Sequence, residues 1–305
     1  MTAAKILQLI LSEVLEYLRP DVLHILDNPY SWYSFTYEPL PTCSLVSRAW
    51  RETAQIAIFQ QVVILRATKP APLVTLKNQL VAVRLTCFLK SIQTAPHLAA
   101  IVKTLDADCN DVVLSNRLPE ILHLCDNLST LNFHFLNNGT GPIMPHITAL
   151  SQPLSNILSY GCYDSRSFDF HLIMKMFPKL TMLHATDLMD LHPIPTSVEV
   201  GNLSIRELQL RTCTKDWLAF FARACRIETL LILEPYVATL TAIACMKDTL
   251  TDLRISFTSE KASYHQGPRF DEVLSELRHL RSLVAIELRQ WPTCWPKTLN
   301  RSRSI

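Results

Sequence analysis

One short apolar phrase recurs along this chain: an apolar residue, two unrestricted residues, a second apolar residue, one unrestricted residue and a third apolar residue. The clearest copies are Ile205-Leu208-Leu210, Ile227-Leu230-Ile232 and Leu250-Leu253-Ile255. Looser copies are Val102-Leu105-Ala107, Leu128-Leu131-Phe133, Leu180-Leu183-Ala185 and Leu283-Ile286-Leu288, and a weak one is Leu154-Ile157-Ser159. Their second positions are 22 to 26 residues apart except at the last step. A period of this size is typical of proteins built from stacked repeats.

Each copy of the phrase alternates like a short β-strand, and the stretches between copies have helical spacing. Three apolar stripes predict helices, formed by Phe170, Ile173, Met174 and Phe177, by Trp217, Phe220, Phe221 and Ala224, and by Phe270, Val273, Leu274 and Leu277. Repetition of a strand and a helix predicts an α/β solenoid with parallel strands on the concave side and helices outside. We interpret residues 102–290 as irregular leucine-rich repeats, with an insertion around residues 259–269.

The remaining chain divides into three further segments. Residues 1–66 are predicted as a small all-α module, because apolar residues recur at helical spacing from Leu7 to Leu18 and again from Ser44 to Ile58. A strand is predicted at its end, over residues 61–65. Residues 67–101 are predicted as a linking or capping segment, and residues 291–305 as a cap followed by a flexible tail.

Composition and motifs narrow the class of protein. Hydrophobic residues make up 49% of the chain and the formal net charge is only +2, which favours a large buried core and argues against a nucleic-acid or membrane partner. The nine cysteines are widely spaced, so we expect reduced thiols and a cytoplasmic or nuclear location. We expect no transmembrane helix, cofactor or metal. No motif of a hydrolase or metalloprotease is present, so we also expect a protein without enzymatic activity.

Two N-terminal segments resemble an F-box: Leu11-Ser-Glu-Val-Leu-Glu-Tyr-Leu18 and Cys43-Ser-Leu-Val-Ser-Arg-Ala-Trp-Arg51. The second segment is followed by Phe59 and Val62-Val63, and then by the repeats. In this combination the chain is similar to fungal F-box proteins with a C-terminal leucine-rich-repeat domain. The resemblance implies a non-catalytic substrate receptor of a cullin–RING (SCF-type) ubiquitin ligase. Its F-box would dock onto a Skp adaptor while the repeats bind a protein substrate. By motif position it implies six adaptor-binding residues: Glu13, Val14, Leu18, Leu45, Val46 and Trp50. The alternative is that these side chains only pack the core of the module.

The strand pattern also gives a candidate recognition surface. If the phrase residues point into the core, the residues between them lie on the concave face, because side chains alternate along a strand. We expect this column, with Arg211 beside it, to bind the substrate protein; the alternative is an ordinary solvated sheet. The column contains Asp106, Asn132, Leu158, His184, Gln209, Leu231, Arg254 and Glu287.

Two other functions stay open from the sequence. The chain could be a leucine-rich-repeat scaffold for protein interactions without any association with a ubiquitin ligase. It could also be an all-helical solenoid that touches nucleic acid through residues 53–105, where six basic residues occur between Thr53 and Leu105 without an acidic one.

Overall fold

A computed structural model describes residues 55–56, 59–64, 85–108, 112–134, 147, 150–162, 169–186, 188, 194–195, 203–233, 237–258 and 270–288. The chain divides into two compact units: the described residues up to Gln152 belong to unit 1, and those from Pro153 onward belong to unit 2. The predicted adaptor-binding residues, from Glu13 to Trp50, lie outside the described residues. So do the predicted segment boundaries after residues 66 and 290.

Strands and helices alternate through most of the described chain. The strands are β1 (Gln61–Ile64), β2 (Thr104–Asp108), β3 (Thr130–His134), β4 (Ser159–Cys162), β5 (Met182–Ala185), β6 (Glu207–Leu210), β7 (Thr229–Leu233), β8 (Asp252–Thr258) and β9 (Ser282–Leu288). The helices are α1 (Pro96–Ala99), α2 (Val112–Leu124), α3 (Phe170–Met176), α4 (Lys215–Ala224), α5 (Val237–Ile243) and α6 (Phe270–Glu276). Residues 85–94 are also helical, and a 3₁₀ turn spans Ala244–Met246.

Unit 1 contains a parallel arrangement of β1, β2 and β3. Leu105 in β2 pairs with Val62 in β1 and with Leu131 in β3, and all three side chains are buried. The strand that the sequence predicted at residues 61–65 is therefore present as β1. Residues 85–94 contribute further apolar side chains to the core, including Leu85 and Ile92, each 1% exposed.

The described residues of unit 2 form six strands, β4 to β9, and each pairs in parallel with the next in chain order. One row of its core crosses β4 to β8 and is fully buried, at 0% exposure for every member: Tyr160, Leu183, Leu208, Leu230 and Leu253. The second row is buried as well: Cys162, Ala185, Leu210, Ile232 and Ile255. The predicted parallel α/β architecture is thus confirmed, and the described strands exclude an all-helical solenoid.

A repeated hydrogen-bond pattern joins the turn before each strand to the next repeat. The carbonyl of Thr181 accepts from the backbone N–H groups of Arg206 and Glu207, at 2.8 and 3.0 Å. The carbonyl of Arg206 then accepts from the N–H groups of Glu228 and Thr229 in the same way. Six such acceptors each lie immediately before the first residue of a strand: Lys103, Leu158, Thr181, Arg206, Glu228 and Thr251. These bonds satisfy turn carbonyls and hold successive repeats in register.

The predicted helices α3, α4 and α6 are present, and aromatic packing joins the first two. Phe170 of α3 contacts Trp217, Phe220 and Phe221 of α4, with ring centroids 6.4, 5.2 and 5.7 Å apart. These edge-on and inclined geometries are favoured between aromatic rings. Within α3 the buried methionine is Met176, whereas the sequence stripe had assigned Met174, which is half-buried.

Two copies of the phrase were predicted in the wrong frame, each displaced by three residues. In β4, Tyr160 rather than Ile157 is paired with Leu183, so the copy is Ile157-Tyr160-Cys162. In β9, Leu283 rather than Ile286 is paired with Leu253, so the copy is Leu280-Leu283-Ala285. The reason is that a competing frame three residues away has an aliphatic residue, Ile157 or Leu288, in the slot that Tyr160 or Ala285 fills in the observed frame.

Candidate functional site

The opposite side of the unit 2 strands carries a mixture of polar, charged and apolar residues, which we call the mixed face. Its middle row consists of residues that pair with one another across β4 to β9. In chain order they are Gly161, His184, Gln209, Leu231, Arg254 and Val284. Four of the predicted substrate-binding residues, His184, Gln209, Leu231 and Arg254, therefore lie in one row.

The register corrects two positions of the predicted column. Arg254 pairs with Val284, and Glu287 pairs with Phe257 three residues further along β9. Strand positions alternate between the two faces of the sheet. Glu287 is therefore a position of the same face as Leu283, and not of the face that contains Arg254 and Val284. Leu158 precedes β4, and Gly161 takes the place predicted for it. Both errors follow from the three-residue frame error described above.

Exposure changes along the row. His184 and Leu231 are buried, at 6% and 3% exposure, and Leu233 beyond Leu231 is 2% exposed. Arg254 is exposed, and Val284 is 36% exposed. The part of the row that a partner can reach therefore lies toward β8 and β9. Leu231 lies at its predicted position, but its side chain offers almost no surface.

Apart from Met182, the row at the amino-terminal end of the mixed face is polar. The Gln209 amide donates to Glu207 Oε1 at 2.9 Å, which fixes both side chains along β6. Thr251 Oγ1 donates to Asp252 Oδ2 at 2.8 Å. Arg211, predicted to flank the column, follows β6 and is half-buried. The mixed face therefore carries both signs of charge. Its carboxylates, Glu207 and Asp252, are the first residues of their strands, and Arg254 lies further along β8.

Unit 1 has its own polar cluster, centred on Asp106 in β2. Gln61 Nε2 donates to Asp106 Oδ2 at 3.0 Å, and Asn132 Nδ2 donates to Asp106 Oδ1 at 2.6 Å. Asp106 is only 4% exposed. Burial raises the pKa of its carboxyl above 3.8, and the two amide hydrogen bonds oppose that shift. The predicted residues Asp106 and Asn132 are thus joined, and the role of Gln61 was missed by sequence reasoning.

The buried cysteines behave as small core residues. Burial raises the pKa of the thiols of Cys213 and Cys225 to about 12, and burial together with the nearby Asp126 carboxylate raises the pKa of Cys125 to about 12. A thiol with such a pKa is almost entirely protonated at neutral pH and is a poor nucleophile or metal ligand.

Within the described residues, no group of three or more His, Cys, Asp or Glu side chains is placed to hold a metal ion. None of the helices in the described part of the chain is both long and apolar enough to cross a membrane. The sequence matches no protein-family model and no curated protein at a significant level.

Proposed function

We propose that this chain is a non-catalytic substrate receptor of a cullin–RING (SCF-type) ubiquitin ligase. In this proposal the N-terminal module is an F-box that docks onto a Skp adaptor, and the repeats are leucine-rich repeats that bind the target protein. The observation that carries the proposal is the mixed face of unit 2, where in-register strands present Gln209, Arg254 and Val284 on the side opposite a fully buried core. Such a face of mixed polarity suits recognition of a protein surface.

The adaptor-binding half of the proposal is supported by the F-box resemblance. Among the residues it implies, Leu45, Val46 and Trp50 are large apolar groups within six positions of one another. Side chains of this kind supply most of the binding energy when a helix docks into a groove.

The direct test is co-purification of the chain with a Skp adaptor. Leu45→Asp/Val46→Asp is expected to lower adaptor recovery at least about tenfold, because it places two charges in an apolar contact. Leu158→Asp/Val284→Asp is the matched control. It makes the same chemical change at two apolar residues that are 43% and 36% exposed. Wild-type chain that recovers no adaptor, or equal recovery from both variants, would remove the ligase assignment.

The target-binding half is tested at Arg254, which is exposed in the middle row of the mixed face. Once a target has been found by native co-purification, Arg254→Glu is expected to reduce its recovery while leaving adaptor recovery unchanged. Lys90→Glu, a charge reversal on the exposed surface of unit 1, should preserve both. Equal loss of target in the two variants would contradict a role for the mixed face.

A repeat scaffold without ligase association is the second candidate. It is supported by the mixed face of unit 2, which lies on the repeat strands themselves. This alternative predicts that target recovery depends on Arg254 while wild-type chain recovers no adaptor, so the same two experiments separate the candidates.

A further inference from the structure

The turns before the strands of unit 2 form a basic edge. Each of the turns that lead into β5 to β9 carries an exposed basic side chain one to five residues before the first residue of its strand. Because the strands are parallel and pair in chain order, their amino-terminal ends lie along one side of the sheet. The basic edge consists of Lys179, Arg206, Arg226, Lys247 and Arg281.

Positive charge is concentrated there beyond what composition suggests. We counted the charged side chains at the five positions before each of these strands, among the described residues. There are six basic side chains, namely the basic edge and Arg278, and two acidic ones, Glu228 and Asp248. The resulting excess of four positive charges is larger than the net charge of +2 on the whole chain. The remainder of the chain is therefore net negative, and the low overall charge conceals a local positive surface.

Helix dipoles do not explain the whole of this edge, although Lys247 is the C-cap of the 3₁₀ turn. Lys175 and Arg223 lie in the last turns of α3 and α4, where a cation offsets the helix dipole. Lys179 and Arg226 instead lie beyond the capping residues of those helices. The dipole effect falls off within the last turn, so it does not account for the positions of these two side chains.

Internal ion pairs leave most of this charge available. Arg206 Nη1 and Arg226 Nε lie 3.5 and 3.7 Å from the same oxygen, Glu228 Oε1. The two arginine side chains are 66% and 76% exposed. Long, exposed pairs of this kind are weak, and one carboxylate cannot neutralise two cations. A partner carboxylate can therefore bind at either arginine.

We propose that the basic edge binds an acidic α-helix of a partner protein. Neighbouring strands are about 4.8 Å apart, so five successive strands space the five cations over about 19 Å. On a helix with glutamates along one face, successive carboxylates are about 5.4 Å apart, one helical turn. About four turns of such a helix span the roughly 19 Å of the basic edge. An extended acidic strand fits less well, because its same-side residues are about 6.6 Å apart.

Nucleic acid is the competing ligand for a basic surface. Binding of single strands relies on aromatic side chains on which bases stack. Among the described residues of these turns there is no exposed Phe, Tyr or Trp side chain; Phe177 is buried, and His279 is exposed. The described edge thus offers charge without an exposed Phe, Tyr or Trp on which bases would stack, which favours carboxylates over nucleotides.

The test is fluorescence anisotropy with three labelled probes and the full chain. The first probe is a helical peptide of about 20 residues with glutamates at i, i+3, i+4 and i+7 spacing, the second replaces every glutamate with glutamine, and the third is single-stranded RNA of about 12 nucleotides. The glutamate peptide should bind at least about tenfold more tightly than the glutamine peptide, and its affinity should fall as salt rises.

Two charge-matched variants locate the contact. Lys179→Glu/Arg281→Glu avoids the Glu228 ion pairs and should weaken the glutamate peptide about tenfold. Lys90→Glu/Lys215→Glu makes an equal change in net charge at exposed positions that are not part of the basic edge, and its affinity should stay within about twofold of wild type.

Equal binding of the glutamate and glutamine peptides to wild-type protein would overturn the proposal, and so would RNA binding tighter than the acidic peptide. Equal weakening by the two variants would overturn it as well. The inference does not depend on the ubiquitin-ligase proposal, because the basic edge and the F-box segments are tested on different residues with different partners.

Discussion

Leu230→Ala is the substitution whose effect follows most directly from the repeat architecture. Leu230 lies in β7, paired with Leu208 on one side and Leu253 on the other, and all three side chains are 0% exposed. The substitution leaves a cavity between two fixed strands, and the hydrogen-bonded pairing on both sides prevents the backbone from closing it. The cost therefore includes lost burial and an unfilled cavity.

The expected loss is about 3 kcal/mol, within the range of about 2–5 kcal/mol for a buried leucine truncated to alanine. With a urea m-value of about 2 kcal/mol/M, this corresponds to a midpoint shift of about 1.5 M. Val284→Ala provides the surface comparison, because Val284 is 36% exposed at the far edge of the same sheet. Its effect should stay within about 0.5 kcal/mol.

Both values are measured by urea unfolding followed by far-ultraviolet circular dichroism. Two compact units can unfold in separate transitions, so the midpoints of wild type and variant are compared only where the m-value is the same. A loss below about 1 kcal/mol for Leu230→Ala would refute the core assignment of this row. Equal losses for the two variants would do the same.

Three further predictions address buried polar and thiol groups. Because burial raises the pKa of Asp106, the folded state holds a proton more tightly than the unfolded state does, so this residue destabilises the fold as pH rises from 3.8 through the raised value. Asp106→Asn should remove that part of the pH dependence, up to about 1.4 kcal/mol per pH unit, as measured by urea unfolding at pH 4 and pH 7. Thr239→Val should cost about 1–3 kcal/mol in the same assay, because the fully buried Thr239 hydroxyl donates to the Cys213 carbonyl at 2.8 Å. Cys87→Ser/Cys245→Ser should remove two fast-reacting thiols in a colorimetric thiol titration at pH 8, because both are exposed and free.

Each of these predictions has a contradicting result. For Asp106, the contradicting result is a free energy of unfolding that rises in wild type relative to Asp106→Asn as the pH rises. For Thr239, it is a loss no larger than that of Thr181→Val, whose hydroxyl makes the corresponding bond to the Leu158 carbonyl at an exposed site. For the thiols, it is an unchanged fast-reacting count, or fast reaction of the buried Cys213.

The repeat pattern predicted most of the described strands because each central strand needs the same three buried residues. The phrase around Leu208, Leu230 and Leu253 has aliphatic residues in every slot, and there the predicted frame is the observed one. The frame failed where Tyr160 and Ala285 fill apolar slots. Periodicity counts apolar positions, but the register is decided by backbone pairing with the neighbouring strand.

The candidate surface was harder to predict than the fold. Alternation placed His184, Gln209 and Leu231 in one row, yet exposure depends on what packs above each side chain, and Leu231 is buried. The amide that completes the Asp106 cluster comes from Gln61, 45 residues away. The basic edge was not recognised from the sequence, because its charges are dispersed along about 100 residues and converge only when parallel strands align their turns.

In-register parallel strands build one buried row and one mixed face in unit 2. Nuclear Overhauser effects between leucine methyl groups in selectively labelled protein test this register directly. We expect contacts from Leu230 to both Leu208 and Leu253, since in-register side chains on neighbouring strands lie about 5 Å apart at Cβ. Contacts of Leu208 and Leu253 to Leu231 in place of Leu230 would contradict it.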